Sequence, residues 1–266
     1  PARNEMKVID RIRAALDAVT FYISCPECVY CHTKLKRGER AICSACAEKL
    51  AEYKERRCSK CAQNLPDCTC TNDYLASCGV RKLFKVYRYR YSGEENVGSN
   101  LLFSLKHENR RDVVDFLADE LSRVIISGTG GKASDFILTA VPRRRKSILK
   151  YGYDHAENLA KAVAQKLGAE YIRLFVSLSA KAQKETHGEE RKKNAKFRLI
   201  NKTAHLKGKR IIIFDDIVTT GSSMGNCASL IISEKPKAVY GAAVAIAFRD
   251  LDPYYEAAFD RIGIKM

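Results

Sequence analysis

The stretch "IIIFDDIVTTGSS", residues 211–223, decides the fold. Its four apolar residues predict a buried strand, and the hydroxyl-bearing residues and glycine that follow predict a turn into a helix. Asp215 and Asp216 stand side by side between them, where two unpaired carboxylates repel each other. We therefore expect a ligand to give the pair its partners, and we expect removal of one carboxylate to relieve the free protein.

The chemistry of this stretch indicates a sugar phosphate. Backbone N–H groups and hydroxyls of residues 218–223 are expected to surround a phosphate at a helix N-terminus, where the helix dipole also attracts anions. Asp215 and Asp216 then accept hydrogen bonds from vicinal sugar hydroxyls and face Mg²⁺ directly or through water. A phosphorylated sugar beside a divalent cation gives both acids a role.

Segments around this stretch alternate between strand and helix patterns. Helices are predicted at 110–126, 154–168 and from Ser222, and buried strands at 135–141, 210–215 and 237–248. A basic loop is expected to follow the strand at 135–141. Such alternation predicts an α/β fold, a parallel sheet with helices on both faces that binds ligands at the carboxyl ends of its strands.

Composition limits the classes of protein to consider. The 266 residues are 46% hydrophobic, enough for a sizeable core. No apolar run approaches the about 20 residues of a membrane span, and no secretory leader is recognised, so a cytoplasmic location is expected. The formal net charge is +16 and favours polyanionic ligands, although a merely solvated basic surface is an equal alternative. Eight metal-bound thiolates and two Zn²⁺ would lower it by four, to +12.

Ten of the eleven cysteines lie between Cys25 and Cys78. Three CxxC pairs recur every fifteen residues and a Cys-Thr-Cys pair follows, which predicts two structural Zn²⁺ sites in a segment too poor in apolar residues to build its own core. Sequential pairing gives these ligand sets: site 1 from Cys28, Cys31, Cys43 and Cys46; site 2 from Cys58, Cys61, Cys68 and Cys70. Crossed pairing remains open, as do the roles of Cys25 and Cys78.

Two further segments are interpreted from their local pattern. Residues 72–79 are predicted to form a hinge between the cysteine segment and the rest. The stretch "FKVYRYRYSG", 84–93, alternates at period two and predicts a strand with unlike faces. Its tyrosines are expected to pack inward, with stacking on nucleic acid as the alternative.

The opening stretch resembles, over all thirteen positions, the phosphoribosyl-pyrophosphate motif of type I phosphoribosyltransferases. By this resemblance the ligand-binding residues are Asp215, Asp216, Thr219, Thr220, Gly221, Ser222 and Ser223. Purine-salvage members carry an aspartate at the position of Thr219, where it serves as acid or base toward the purine. A threonine cannot do this near neutral pH, so a purine acceptor is disfavoured.

The wider chain resembles the competence protein ComF family, a double zinc ribbon ahead of a phosphoribosyltransferase domain. The resemblance includes "LKHENRRD" (105–112), "FILTAVP" (136–142) and the pair Arg191 and Asn194. It covers roughly residues 26–248. We predict a double zinc ribbon at 25–79 and a phosphoribosyltransferase-like domain at 80–266, preceded by a helical segment at 1–24. The chain departs from the family at Tyr151, Asp154 and His155, and it lacks the glycine after each CxxC, having His32, Ala47 and Ala62.

This family resemblance also implies functional loops and partners. The pyrophosphate-loop candidates are Arg143, Arg144, Arg145 and Lys146, and the mobile-loop candidates are Arg191 and Asn194. The implied function is binding of phosphoribosyl pyrophosphate with Mg²⁺ while single-stranded DNA is handled in competence, with a competence helicase as a possible partner. The alternative is an active phosphoribosyltransferase that transfers ribose 5-phosphate to a non-purine nitrogen acceptor.

Overall fold

The computed structural model describes residues 26–55, 57–89, 96–131, 133–178, 197–200 and 206–247. In these ranges the helices are α1 (Ser44–Lys54), α2 (Asp73–Ser77), α3 (Val97–His107), α4 (Arg111–Thr129), α5 (Arg145–Tyr151), α6 (His155–Leu167) and α7 (Ser222–Ile232). The strands are β1 (Val80–Arg88), β2 (Phe136–Ala140), β3 (Glu170–Tyr171), β4 (Phe175–Ser177), β5 (Phe197–Leu199), β6 (Arg210–Val218) and β7 (Ala238–Ile246). The predicted segment at 1–24, Cys25, Arg191 and Asn194 lie outside the described residues.

A five-stranded sheet with the order β1-β7-β6-β2-β3 forms the centre of the protein. All of its neighbouring strands run parallel. The predicted strands at 135–141, 210–215 and 237–248 are confirmed as β2, β6 and β7, although β6 continues through both aspartates to Val218. Strands β4 and β5 form a separate antiparallel pair.

Helices cover both faces of the sheet, as the sequence predicts. On one face α4 and α6 bury their apolar stripes, for example Val113, Leu117 and Leu159. On the other face α7 packs Met224 and Ile231 against β6 and β7. The strands are therefore buried on both sides, which explains the continuous apolar run of β6 rather than an alternating pattern.

The connections reverse direction between β2 and β6. From β2 the chain moves outward through α5 and α6 to β3, whereas from β6 it moves the other way through α7 to β7. Beyond Ala140, the register partner of Phe214, β6 runs on beside β7 alone. Ligands of open α/β sheets bind in the crevice at such a reversal, at the carboxyl ends of the strands.

The cysteine segment contributes to both hydrophobic clusters of the larger domain. Ile42 and Leu50 belong to the cluster around α4, and Leu65 and Leu75 belong to the cluster around α7. The segment thus lacks a separate core, as its composition predicts, but it shares the core of the sheet. The division of the chain at residue 79 into two domains remains a prediction.

Two local predictions are wrong. Residues 72–79 are not a hinge, because α2 occupies most of them, with Asn72 as its N-cap and Leu75 fully buried. Strand β1 begins at Val80 and does not have unlike faces, since Phe84, Lys85, Val86 and Tyr87 are all buried. Tyr87 packs inward as expected, and its hydroxyl donates to the carbonyl of Gly98.

No helix in the described ranges combines the length and the apolar character that crossing a membrane requires.

Candidate functional site

Asp215 and Asp216 lie near the carboxyl end of β6 and face opposite sides of the sheet. Successive side chains of a strand alternate, and the contacts agree. Asp216 bonds to α3 and α6 on one face, whereas the charge of Asp215 acts on Cys227 of α7 on the other. The two carboxylates flank the edge of the sheet rather than pointing together at one atom.

Asp216 is a buried carboxylate with two cationic or polar partners. Its Oδ2 accepts from Lys106 Nζ at 2.7 Å and lies 2.9 Å from His155 Nε2, and its side chain is 9% exposed. Burial favours the neutral acid, but the hydrogen bond to His155 and the Lys106 charge outweigh it and hold the pKa of Asp216 below its ordinary value. The expectation that this carboxylate is unpaired in the free protein is therefore wrong.

Asp215 has the opposite electrostatic situation. Its Oδ1 accepts the backbone N–H of Asp216 at 3.0 Å. Burial and then the neighbouring charge of Asp216 raise the pKa of Asp215 well above its ordinary value, against the weaker effect of Lys106. The two acids thus repel each other, and the repulsion disfavours the charged form of Asp215 rather than that of Asp216.

The loop after β6 has the features of a phosphate-binding turn. Thr219 and Thr220 are exposed, and Gly221 has a φ of +81°, in the left-handed region that favours glycine. Helix α7 then begins at Ser222, with Ser222 and Ser223 half-buried in its first turn. We call residues 219–223 the phosphate loop, because a helix N-terminus and hydroxyls suit an anion there.

The loop after β2 meets the same edge, but only part of it is a basic loop. Helix α5 begins at Arg145, and Arg144 is its N-cap. The Arg143 backbone N–H donates to Asp154 at 2.8 Å, and its guanidinium donates to the Lys106 carbonyl while lying 4.5 Å from the Tyr151 ring centre. Arg143 is therefore turned into the site. The remaining candidates Arg144, Arg145 and Lys146 are exposed.

The three departures from the ComF family meet at this site. Asp154 caps α6 through the N–H groups of Ala156 and Glu157 as well as binding Arg143. His155 binds Asp216, and Tyr151 lies beneath Arg143. The three residues at these positions therefore all contribute contacts to the same site.

Direct coordination of Mg²⁺ by Asp216 does not fit this geometry. One oxygen of Asp216 is engaged by Lys106 and His155, and the other accepts the N–H of Ile217 at 2.7 Å. The Lys106 ammonium already supplies the positive charge that a cation would bring. The assignment of Mg²⁺ to Asp215 and Asp216 therefore remains a prediction for Asp215 and is disfavoured for direct contact with Asp216.

The two cysteine clusters have the geometry of four-thiolate metal sites. In each set, Cys28 with its three partners and Cys58 with its three, the sulfur atoms all lie within 4.8 Å of one another. A tetrahedral Zn²⁺ with bonds of about 2.3 Å separates its sulfurs by roughly 3.8 Å, so both sets fit. The described cysteines thus group sequentially rather than in the crossed arrangement, and they form no disulfides; that each group holds Zn²⁺ stays a prediction.

The missing glycines of the cysteine pairs have different structural meanings. His32 and Ala62 both adopt a φ of +57°, the left-handed conformation that a glycine would take without strain. Ala47 instead lies within α1 and requires no glycine.

One site residue was not singled out by the sequence reasoning. Lys106 neutralises Asp216, and it lies in the stretch 105–112 that resembles the ComF family. The signal was present in that stretch, since a lysine at the end of an otherwise apolar helix is a candidate anion partner.

Comparison with known proteins agrees with this geometry. The family model of the phosphoribosyl transferase domain matches residues 154–256, a range that includes α6, the phosphate loop and β7. The chain therefore contains a phosphoribosyltransferase-type domain. A search of the curated proteins gave no match.

Three solved structures show a loose likeness. They are a phosphoribosylpyrophosphate synthetase from Mycobacterium smegmatis (15% identity, 66% of this chain and 57% of that chain, TM-score 0.34), a purine phosphoribosyltransferase from Pyrococcus horikoshii Ot3 (16%, 51% and 86%, 0.31) and the UMP synthase of Leishmania donovani (17%, 66% and 30%, 0.32). This chain thus spans 57% of the length of the first. The activities in these names belong to those proteins.

Proposed function

We propose that this chain binds phosphoribosyl pyrophosphate at the carboxyl edge of its sheet and transfers the ribose 5-phosphate to a nitrogen acceptor. The observation that carries the proposal is the meeting of the phosphate loop with the Asp215–Asp216 pair at the reversal between β2 and β6. The phosphoribosyltransferase-type match over the same residues supports it. The 5-phosphate would lie at the phosphate loop, and Asp215 would accept hydrogen bonds from ribose hydroxyls.

Arg143 and Lys106 are suited to the pyrophosphate. Both lie on the β2 side of the edge, and the Arg143 guanidinium contacts the Lys106 carbonyl. In the transfer, the acceptor nitrogen forms a bond to ribose C1 as the bond from C1 to the pyrophosphate oxygen breaks, and pyrophosphate leaves with the electron pair. Cations fixed beside the leaving group stabilise the charge that develops there. Mg²⁺, when bound to the pyrophosphate, supplies further charge neutralisation.

The acceptor is proposed to be something other than a purine. Thr219 fills the position from which purine-salvage members use an aspartate, and its hydroxyl is no acid or base near neutral pH. His155 does not substitute for it, because its Nε2 is engaged by Asp216 and its Nδ1 is buried.

Pyrophosphate release tests this proposal. Phosphoribosyl pyrophosphate is incubated with Mg²⁺ and the full chain, and release is followed over a panel of nitrogen acceptors. Acceptor-dependent release by the wild type, lost in a Thr220→Ala, Ser222→Ala double variant of the phosphate loop, is the expected result. A wild type that neither releases pyrophosphate nor binds phosphoribosyl pyrophosphate in calorimetry refutes the proposal.

A second candidate is binding of single-stranded DNA, the role that the ComF resemblance implies together with a helicase partner. The supporting observation is an exposed surface of rings and cations beside the site. Phe103 is 55% exposed and packs against His107 at a tilt of 46°, and His107 contacts Tyr151. Arg144, Arg145 and Lys150 are exposed on the neighbouring α5 segment. Aromatic rings with adjacent cations are how proteins hold unpaired bases and their phosphates.

Salt dependence and matched variants test this second candidate. Neutralising Arg144 and Arg145 to glutamine is expected to flatten the slope of log K against log salt by about 1.4, at roughly 0.7 for each lost phosphate contact. Phe103→Ala is expected to weaken binding, whereas Ile126→Ala, an exposed residue of α4, is the control. Equal effects of the two alanine variants, or no binding at low salt, exclude this surface.

A further inference from the structure

Helix α2 of the cysteine segment lies directly against the phosphate loop. Asn72, the N-cap of α2, donates from Nδ2 to the carbonyl oxygen of Thr220 at 3.1 Å. Asn72 is two residues beyond Cys70, the last cysteine of the second cluster. A contact across nearly 150 residues of sequence therefore joins a metal cluster to the proposed ligand site.

This hydrogen bond fixes the orientation of one N–H group in the loop. The carbonyl of Thr220 and the N–H of Gly221 belong to the same planar peptide, and no described peptide bond is cis. In a trans peptide these two groups point in opposite directions. Because the carbonyl is held toward Asn72, the Gly221 N–H points away from Asn72, and the proposed function makes this N–H one of the donors to the phosphate.

Packing between α2 and the loop leaves no room for another arrangement. A Cβ on Gly221 would lie 2.8 Å from Leu75, which is fully buried, and a Cβ on Gly225 would lie 2.6 Å from the Tyr74 ring. The Tyr74 hydroxyl also contacts Asn226 at 3.3 Å. The glycines of this region are thus required by α2 as well as by the backbone turn at Gly221.

The segment that leads into α2 is itself fixed on the sheet. The buried ammonium of Lys85 in β1 donates to the carbonyls of Cys68 and Cys70, at 2.7 and 3.1 Å. The N–H of Leu83 donates to the carbonyl of Thr69. When the four cysteines of the second cluster bind a metal ion, the backbone from Cys68 to Asn72 is held in place, and Asn72 in turn holds the Thr220 carbonyl.

We propose that the second cysteine cluster and Asn72 position the phosphate loop, so that metal at this cluster, and not at the first, sets the affinity for the phosphorylated ligand. Asn72 is a positioning residue that acts through the Thr220–Gly221 peptide and touches no ligand. The effect on affinity rests on the proposed function, whereas the effect on the loop does not.

Asn72→Ser separates the loop contact from helix capping. Asn72 Oδ1 accepts the N–H of Leu75 at 2.8 Å, and serine is an equally good N-cap, but serine has no second polar atom in the place of Nδ2, which makes the loop contact. Asn96→Ser is the matched control, because Asn96 caps α3 in the same way through Ser99 at 2.9 Å. We expect Asn72→Ser alone to speed amide exchange of the 219–224 peptide at unchanged zinc content. It should weaken binding of ribose 5-phosphate, whose phosphate is proposed to lie at this loop, roughly three- to tenfold, the effect of one hydrogen bond.

Cluster variants supply the second arm of the test. Cys70→Ser and Cys31→Ser each remove one ligand from one cluster, and zinc content is measured for both. Only Cys70→Ser is expected to speed exchange of the 219–224 peptide and to weaken binding of ribose 5-phosphate. Equal exchange rates in Asn72→Ser and wild type, or equal effects of the two cysteine variants, overturn the proposal. If wild type binds no ribose 5-phosphate, the proposed function fails, while the exchange comparison still decides the coupling.

Discussion

The two neighbouring aspartates of β6 are expected to respond in opposite ways to the same substitution. Asp216→Asn removes a charge that is paired with Lys106 and bonded to His155. Asp215→Asn removes a charge that burial and Asp216 disfavour, as its raised pKa indicates. In the free protein, we therefore expect Asp216→Asn to lower the free energy of unfolding and Asp215→Asn to increase it.

The size of the Asp216 effect follows from the burial of the pair. Breaking a buried ion pair costs about 3–5 kcal/mol when both groups are fully desolvated. The Lys106 side chain is 30% exposed and can recover part of its hydration, which reduces the expected loss to about 2 kcal/mol. For a protein of this size that corresponds to a melting temperature lower by about 4–8 °C.

The pH dependence of the two variants differs in sign as well. The pKa of Asp216 is lowered by folding, so its stabilisation is present above its unfolded-state value of about 3.9 and is lost as pH falls through the lower folded value. The pKa of Asp215 is raised, so the folded state binds more protons and wild-type stability declines as pH rises from about 4. The gain from Asp215→Asn should accordingly be larger at pH 8 than at pH 4.5.

Thermal melts of wild type and both variants at the two pH values measure these effects. Asp115→Asn, at an exposed position of α4, controls for the change in net charge. If Asp216→Asn melts at or above the wild-type temperature at pH 8, the ion pair with Lys106 is not stabilising and the reasoning is refuted. A destabilising Asp215→Asn contradicts the assignment of the electrostatic penalty to that residue.

Three other outcomes are expected. Metal analysis should find two zinc ions per chain. A strong chelator should destabilise the whole described fold rather than only residues 25–78, because the cysteine segment shares the core of the sheet. Calorimetry that still shows an intact larger domain after chelation contradicts this. Ala62→Gly should raise the free energy of unfolding by about 0.5–1 kcal/mol, because it relieves the left-handed strain, and the melting temperature should rise with it. Ala47→Gly within α1 should instead lower the free energy of unfolding by about 1 kcal/mol. Gly221→Ala should weaken ribose 5-phosphate binding more than tenfold in calorimetry, while Gly168→Ala, left-handed but in open space, should leave it unchanged.

Local patterns in the sequence were enough to predict the sheet and the two cysteine clusters. The buried strand, the turn and the helix start of residues 211–223 are confirmed because each depends on a few adjacent residues. The cysteine pairs are equally local, and the sulfurs group sequentially as their spacing indicates. The candidate residues after β2 and β6 lie at the same edge of the sheet, because the carboxyl ends of parallel strands meet there.

Contacts distant in sequence could not be predicted in the same way. Lys106 meets Asp216 across 110 residues, and no local pattern reports which helix end lies over which strand. Helix α2 has only five residues, too few for periodicity to distinguish it from a loop. The burial of Lys85 could not be predicted either, because a buried lysine is rare and depends on specific acceptors elsewhere in the chain.

The buried Lys85 has a consequence for any attempt to shorten the chain. The sequence suggests a cut before Val80, where the last cysteine pair has ended and the first strand of the sheet begins. That cut would remove the Cys68 and Cys70 carbonyls and the Cys68 sulfur, leaving the ammonium with the Leu83 carbonyl inside an apolar layer. An uncompensated buried charge is among the most costly defects a fold can carry. The boundary before Val80, where the cysteine-rich composition ends, is therefore a poor place to divide the protein. A chain shortened there would need an apolar residue in place of Lys85 to fold.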